Sequence, residues 1–315
     1  MTQISRRTFI RQMAVGGGTL AWLCTGIEFA HAAGPEAYKL RIIHTNDHHA
    51  RIEPVTGGTP PAPIHGGVSR RKALIDAIRD EGGNQILLDA GDVFQGTPYF
   101  NFYKGEVEYK SMSLIGYDVG TLGNHDFDNG VDALAAAMKF ANFDFVSSNY
   151  DVSGTPLQSR VKRYVVRTLG GVRVGLFGMG ISPDNLITPE NFKGVKYMDP
   201  VKSAREVVET LRRRERCNLV IGMSHLGYYP NAKDGEIGDT QVAAQVDGID
   251  FIASGHTHTF MQQPVLTQQP SGKTTIIFQV GKSGIYVGRI DFKLRAGKVV
   301  ASAGRLLDLR DEALG

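Results

Sequence analysis

Five apolar segments of this chain are each followed at once by a short loop of Asp, Asn or His residues. The pairs are residues 42–43 with 44–49, 87–88 with 89–92, 121–122 with 123–128, 221–223 with 224–225, and 252–253 with 254–258. Parallel strands of an α/β sheet present their carboxyl ends at one edge, where such sheets bind ligands. The five loops are therefore predicted to converge on one site.

The segments between these loops predict an α/β fold, because short apolar runs alternate with helical patterns. Helices are predicted over residues 68–78, 108–115, 131–140 and 201–214. Strands are predicted over residues 40–43, 85–88, 119–122, 143–146, 164–168, 172–177, 219–223, 250–253, 275–280, 285–292 and 299–306. Residues 53–67 are rich in Pro, Gly and Thr and predict a loop. The order favours two mixed β-sheets flanked by helices, with the site in the loops after the strands.

A single Asp or His at a strand end has ordinary explanations, such as a helix cap or a hydrogen-bonded structural residue. The conjunction of several such residues is more specific. Of the nine histidines in the chain, seven fall in these loops, and five of them are the candidate site residues His49, His125, His225, His256 and His258. This clustering favours a metal site built from oxygen and imidazole ligands.

The loop residues resemble the motifs of the calcineurin-like metallophosphoesterases. The matching residues are Asp47-x-His49, Gly91-Asp92, Gly123-Asn124-His125-Asp126, His225 and Gly255-His256-x-His258. The fuller strings are similar to the 5′-nucleotidase branch: residues 44–49, Gly66-Gly67-x-x-Arg70-Arg71, Gly91-Asp92-x-x-Gln95-Gly96 and residues 123–128. The motifs occur in the family's order and cover essentially all of the chain after residue 32.

The resemblance implies two adjacent divalent metal ions. It assigns Asp47, His49 and His258 to the first ion, and Asn124, His225 and His256 to the second. Asp92 is implied to bridge them, since one carboxylate can span two ions about 3.5–4 Å apart. Mixed oxygen and nitrogen ligands suit Mn, Zn, Fe or Co, and the sequence does not choose among these metals.

The resemblance also implies phosphoester hydrolysis by in-line attack of a metal-activated hydroxide. His125 is implied to stabilise the transition state or protonate the leaving oxygen, and Asp128 to orient His125 and raise its pKa. A second interpretation makes Asp128 the N-cap of the helix predicted from Val131, and both can hold.

The chain differs from typical exported 5′-nucleotidases, which carry a further C-terminal domain that stacks the nucleobase. We expect residues 33–315 to form a single catalytic domain without that second domain. Tyr99, Phe100, Tyr228 and Tyr229 lie near the motif loops and could substitute for the missing aromatics, or a partner could supply substrate specificity. Three functions stay open: a phosphatase of nucleotides or similar small esters, a phosphodiesterase of cyclic nucleotides or nucleotide sugars, and a catalytically idle metal-binding accessory module.

The first 32 residues predict an export signal. Ser5-Arg6-Arg7-Thr8-Phe9-Ile10 resembles the twin-arginine motif, and it precedes a mostly apolar run that ends in the cleavable string Ala30-His31-Ala32. The twin-arginine translocation machinery is thus an expected partner, and the expected location is the bacterial periplasm or the exterior. Retention of the segment as a membrane anchor is the alternative.

Charge and cysteine content exclude two other classes of protein. The net charge is +3, and removal of residues 1–32, with three Arg and one Glu, leaves 32 basic and 31 acidic residues. A nearly neutral chain gives no electrostatic basis for nucleic-acid binding. Cys24 lies in the signal, so Cys217 alone can form neither a disulfide nor a thiolate metal cluster.

Overall fold

The computed structural model describes residues 38–56, 64–229 and 236–309. The predicted export signal, residues 1–32, lies outside these ranges. The strands are β1 Tyr38–Thr45, β2 Val55–Thr56, β3 Ile64–His65, β4 Asn84–Asp89, β5 Val119–Gly120, β6 Asp144–Val146, β7 Tyr150–Asp151, β8 Val161–Lys162, β9 Tyr164–Leu169, β10 Val172–Gly180, β11 Lys196–Tyr197, β12 Leu219–His225, β13 Phe251–Ser254, β14 Val265–Gln268, β15 Thr274–Phe278, β16 Tyr286–Arg295 and β17 Lys298–Asp308. The α-helices are α1 Val68–Asp80, α2 Pro98–Tyr103, α3 Glu106–Ile115, α4 Gly130–Ala137, α5 Pro200–Glu209 and α6 Asp239–Gln245.

Two mixed sheets contain most of these strands, as the sequence predicts. The seven-stranded sheet has the order β17-β16-β1-β4-β5-β6-β8, and the six-stranded sheet has the order β14-β15-β13-β12-β10-β9. In the first sheet β1, β4, β5 and β6 run parallel. In the second sheet β10, β12, β13 and β15 run parallel. Each sheet therefore has one edge where several carboxyl ends meet.

The hydrophobic core has two parts because side chains alternate along each strand. Leu40 and Ile42 of β1 point to the second sheet and pack in one cluster with residues of β10, β12 and β13, which also contains residues of α5 and α6. Ile43 of β1 points to the other face and packs with residues of α1, α3 and α4. The layers are helices, sheet, sheet and helices, which confirms the predicted sandwich.

Most predicted elements are confirmed, and the differences have local causes. The helix predicted over residues 201–214 ends as an α-helix at Glu209 and continues as a π-helix over Thr210–Arg214. There Glu215 donates its backbone N–H to the carbonyl of Thr210, 3.0 Å away. The helix predicted over residues 131–140 likewise ends in a 3₁₀ turn, Met138–Phe140.

Two helices were missed in the sequence, α2 and α6. Helix α2 consists largely of aromatic residues, which have modest intrinsic helix propensity, and α6 is only seven residues long. Cys217 is buried and precedes β12. Within the described ranges, no helix combines the length and apolar character needed to cross a bilayer.

Candidate metal centre

The five polar loops converge at one edge of the sandwich. Backbone hydrogen bonds hold them together: the N–H of Asp47 donates to the carbonyl of Gly91 at 2.9 Å, and that of His49 to the carbonyl of Asp92 at 3.1 Å. Gly123 is required at the contact between two loops, because a Cβ there would lie 2.2 Å from Oδ1 of Asp92. The convergence expected from the strand ends is therefore present.

Several residues of the site have a left-handed backbone, which is unfavourable for residues other than glycine and is concentrated at functional sites. Five of the seven predicted metal ligands have this conformation: Asp47 (φ 52°), His49 (φ 50°), Asp92 (φ 55°), His256 (φ 73°) and His258 (φ 52°). The surrounding contacts must therefore hold these residues in place.

The first group of side chains consists of Asp47, His49 and His258, whose ligand atoms lie within 4.8 Å of one another. Nε2 of His258 lies 3.3 Å from Oδ1 of Asp47, and Nε2 of His49 lies 3.9 Å from the same oxygen. The two imidazole rings are perpendicular to each other, with their Nε2 atoms 2.8 Å apart. Two ring nitrogens and a carboxylate oxygen thus point at one small space.

The second group consists of Asp92, His225 and His256, again with ligand atoms within 4.8 Å of one another. Asn124 completes it, because its Oδ1 lies 3.0 Å from Nδ1 of His256. The imidazole of His225 is held by a hydrogen bond on the side away from the site, where Nδ1–H donates to the carbonyl of Ala90 at 2.7 Å. This bond leaves Nε2 directed at the site.

Asp92 links the two groups. Its Oδ2 lies 3.0 Å from Nε2 of His225 and 3.9 Å from Nε2 of His49. Burial opposes ionisation of Asp92, but the neighbouring His225 outweighs burial and lowers the pKa of the carboxyl group. In the same pair, burial opposes protonation of His225, and the Asp92 carboxylate outweighs it and raises the pKa of the imidazole. The position of Asp92 is the one that a bridging ligand needs.

The donor set fits a pair of divalent ions. Imidazole nitrogens and carboxylate oxygens coordinate such metals at about 2.0–2.2 Å, which places neighbouring ligand atoms about 3–4 Å apart. The separations above lie near this range. Burial lowers the pKa of His256 to about 4 and lowers that of His49, which favours the neutral imidazole that binds a metal. The raised pKa of His225 means that a metal must displace the proton of that imidazole.

His125 and Asp128 form a pair beside the two groups. Nδ1 of His125 lies 3.0 Å from Oδ2 of Asp128, and its ring centroid lies 5.4 Å from that of His49. The hydrogen bond with Asp128 raises the pKa of His125, and the Asp92 charge adds to the effect. The N-cap interpretation of Asp128 is wrong: Asn129 precedes α4, and Asp128 ends the 3₁₀ turn His125–Phe127.

Asp126 is an anchoring residue whose role the sequence did not show. This buried carboxylate accepts four backbone N–H bonds, from Gly123 at 2.8 Å, Asp92 at 3.2 Å, Val93 at 3.0 Å and Phe94 at 3.3 Å. It therefore joins the loop of Asp92 to the loop of Asn124 and His125. Its place in the Gly-Asn-His-Asp string was the available signal.

The four aromatic residues predicted near the motif loops differ in exposure. Phe100 and Tyr228 are buried, and Phe100 stacks on Phe94 with a centroid separation of 5.1 Å, so both are packing residues. Tyr229 is 61% exposed and donates its hydroxyl to that of Tyr228. Tyr99 is partly exposed and donates its hydroxyl to Glu53.

Comparison with known proteins identifies the family. The model of the calcineurin-like phosphoesterase family matches residues 40–260. A 5′-nucleotidase of Vibrio cholerae is 32% identical over 291 residues, which are 84% of this chain and 50% of that protein. The chain thus spans about half the length of the curated relatives it matches.

Solved structures agree with this result. The crystal structure of a 5′-nucleotidase precursor from Thermus thermophilus superposes with a TM-score of 0.77 at 34% identity, covering 88% of this chain and 55% of that one. The calcineurin-like phosphoesterase YfkN from Bacillus subtilis superposes with a TM-score of 0.68 at 27% identity, covering 89% of this chain and 95% of that one. The chain belongs to the calcineurin-like phosphoesterase family.

Proposed function

We propose that this chain is a dinuclear metal-dependent phosphoester hydrolase that acts on nucleotides or related small phosphate esters. The observation that carries the proposal is the pair of ligand groups joined at Asp92, with the His125–Asp128 pair beside them. The family match supports the reaction class, and the 5′-nucleotidases among its relatives support the substrate class.

The proposed ligands are Asp47, His49 and His258 for one ion, and Asn124, His225 and His256 for the other, with Asp92 shared. Two bound divalent ions of the Mn, Zn, Fe or Co type supply an activated water nucleophile at neutral pH and neutralise charge on the phosphoryl oxygens.

His125 holds a proton for the leaving oxygen. Its Nδ1 is engaged by Asp128, which leaves Nε2 as the atom that can donate to substrate. The side chain of His125 is 33% exposed, so a phosphate ester can reach it from solvent. Asp128 fixes the ring and favours its protonated form.

The test is metal loading combined with hydrolysis. The purified chain is stripped of metal, reloaded separately with Mn, Zn, Fe, Co or Ca, and assayed on p-nitrophenyl phosphate and bis-p-nitrophenyl phosphate. We expect two bound ions and metal-dependent turnover, with a preference for the monoester. A preference for the diester would indicate a phosphodiesterase instead. Two ions without turnover on either ester would indicate an idle metal-binding module, and no bound metal would refute the proposal.

Substrate preference depends on groups that contact the organic part of the ester. We infer that Tyr99 and Tyr229 are the local aromatic residues available for this contact, because Phe100 and Tyr228 are buried. A partner that supplies further contacts is a second possibility, and retention of a specific protein on the metal-loaded chain would support it. We do not expect nucleic-acid binding, given the nearly neutral charge after residue 32.

We further propose export to the bacterial periplasm or beyond through the twin-arginine route, on the basis of residues 5–10. Export is measured by cell fractionation of the wild type and of a variant with Arg6→Lys and Arg7→Lys. The double variant is expected to stay in the cytoplasm, and unchanged export would refute the assignment.

A further inference from the structure

Gln279 is a fully buried glutamine directly after β15, and its side-chain amide contacts the loop that carries His256 and His258. Its Nε2 donates to the carbonyl of Gly255 at 2.6 Å and to Oγ of Ser254 at 2.7 Å. Its Oε1 accepts from Oγ1 of Thr257 at 3.1 Å and from the backbone N–H of Thr259. One amide therefore holds this loop at four points.

These contacts alternate with the two histidines along the chain. Gly255 and Thr257 flank His256, and Thr257 and Thr259 flank His258. Both histidines have the left-handed backbone that needs support from its surroundings. His258 belongs to the first ligand group and His256 to the second, so the loop sets the spacing between the groups.

The backbone of Gln279 is itself fixed in place. Its carbonyl accepts from the N–H of Met261 at 3.2 Å, and its N–H donates to Sδ of Met261 at 3.3 Å. The backbone of Gln279 is thus attached to the end of β15 and to the segment after the histidine loop. Its side-chain amide therefore has little freedom to move together with that loop.

We propose that Gln279 is a positioning residue that holds His256 and His258 at the separation needed to bind both metal ions. This inference rests on the proposed function of the site. It predicts that loss of the amide weakens both ion sites together, because the same four contacts support one ligand of each.

Gln269 provides a matched control. It is also buried, and its amide makes the same kinds of contact: Nε2 donates to the carbonyl of Ile249 at 2.7 Å and to Oγ1 of Thr275 at 3.0 Å, and Oε1 accepts from the N–H of Gly248 at 2.8 Å. Gly248 and Ile249 precede β13, whereas the site follows it, so a four-residue strand of about 13 Å separates the two regions.

The experiment compares Gln279→Met with Gln269→Met in the metal-free full chain. Methionine preserves length and removes the amide hydrogen bonds. Thermal unfolding without metal measures the general cost of each change, and calorimetric titration with Mn²⁺ measures affinity and stoichiometry. We expect similar losses of melting temperature in both variants. We expect Mn²⁺ affinity to fall about 10–100-fold only in Gln279→Met, the usual effect of removing a group that orients ligands.

Wild-type Mn²⁺ affinity in Gln279→Met would overturn the proposal, and so would an equal loss in Gln269→Met. If Gln279→Met does not fold, Thr257→Val is compared with Thr257→Ser, which keeps the hydroxyl. Thr257 is exposed, and valine removes one contact of the amide together with the hydroxyl's bonds to the N–H of Tyr228 and to Thr259. A several-fold loss of Mn²⁺ affinity supports the proposal, and an unchanged affinity refutes it. A wild type that binds Mn²⁺ without hydrolysing esters refutes the proposed function alone, whereas one that binds none of Mn, Zn, Fe and Co refutes both.

Discussion

Two histidines of this chain are equally buried and lie in opposite electrostatic environments. His44 and His225 each have 0% exposure. His44 lies between the sheets, with its ring centroid 5.4 Å from that of Phe251 and 5.3 Å from that of Phe278, and burial lowers its pKa to about 3. His225 lies at the sheet edge against Asp92, whose carboxylate outweighs burial and raises the imidazole pKa.

The difference shows that neighbours, and not burial, separate a site histidine from a core histidine. Neither ring nitrogen of His44 has a hydrogen-bond partner among the described residues. Nδ1 of His225 donates to the Ala90 carbonyl, and its Nε2, which also has no hydrogen bond of good geometry among the described residues, lies 3.0 Å from the Asp92 carboxylate. A lone histidine after a strand therefore predicts little until the residues across the sheet edge are known.

The largest expected effect comes from removing the carboxylate that distinguishes His225 from His44. Asp92→Asn leaves no anionic oxygen between the two ligand groups, so we expect loss of bound metal. Loss of a general acid lowers the rate by up to ~10⁴-fold, and we expect the hydrolysis rate of Asp92→Asn to fall by more than this. Metal analysis and p-nitrophenyl phosphate hydrolysis measure both. Asp76→Asn, in the exposed Lys72–Asp76 pair of α1, is the control and should change neither. If Asp92→Asn still bound two ions, the bridging role proposed for Asp92 would be refuted.

The next effect concerns His125, a histidine at the rim of the same site. His125→Asn should retain both ions and lose about 10²–10⁴-fold in rate on esters with a poor leaving group, because general-acid catalysis is lost. On p-nitrophenyl phosphate the loss should be smaller, since its leaving oxygen needs less protonation. A full rate on a poor leaving group such as a nucleoside monophosphate would contradict the proton-donor role.

Asp128 gives a smaller effect, because it acts on His125 without reaching the substrate. Asp128→Asn replaces a charge-assisted hydrogen bond of about 1.5–3 kcal/mol by a neutral one of about 0.5–1.5 kcal/mol, so we expect a loss of kcat of about fivefold to tenfold. Metal content and KM should stay unchanged. Asp132→Asn, nearby in α4, is the matched control. An equal loss in both variants would mean that the effect is not specific to the pair.

The smallest effect tests the other side of the comparison, His44. Its folded-state pKa of about 3 lies below the ordinary 6.5, so the unfolded chain binds the proton more readily. This contribution to stability is therefore present above pH 6.5 and is lost as pH falls toward 3. At pH 6 the loss of unfolding free energy is about 1 kcal/mol.

Denaturant unfolding at pH 8 and pH 6 should show a smaller difference in the free energy of unfolding in His44→Leu than in the wild type. Phe278→Leu, a neighbouring change without a titratable group, should keep the wild-type difference, and the same pH dependence in His44→Leu would refute the assignment.

The alternation of strands and helices was readable from local patterns, because periodicity and turn residues act over short distances. The boundaries of the helices were less readable from local patterns. The helix predicted to Arg214 changes to a π-helix after Glu209, and α2 has too few helix-favouring residues to be recognised. The two strands predicted over residues 164–168 and 172–177 are present as β9 and β10, which pair antiparallel.

The sequence by itself determined which residue types end the strands, and so the chemistry of the candidate ligands. Only the tertiary structure decided how they combine. It brings Asp47 and His258, 211 positions apart, to a separation of 3.3 Å and places Asp92 between two imidazoles. It also assigns His44 to the core and Asp126 and Gln279 to the support of the site loops. The physical reason is that charge, hydrogen bonding and pKa depend on distances across the sheets, which separation along the chain does not specify.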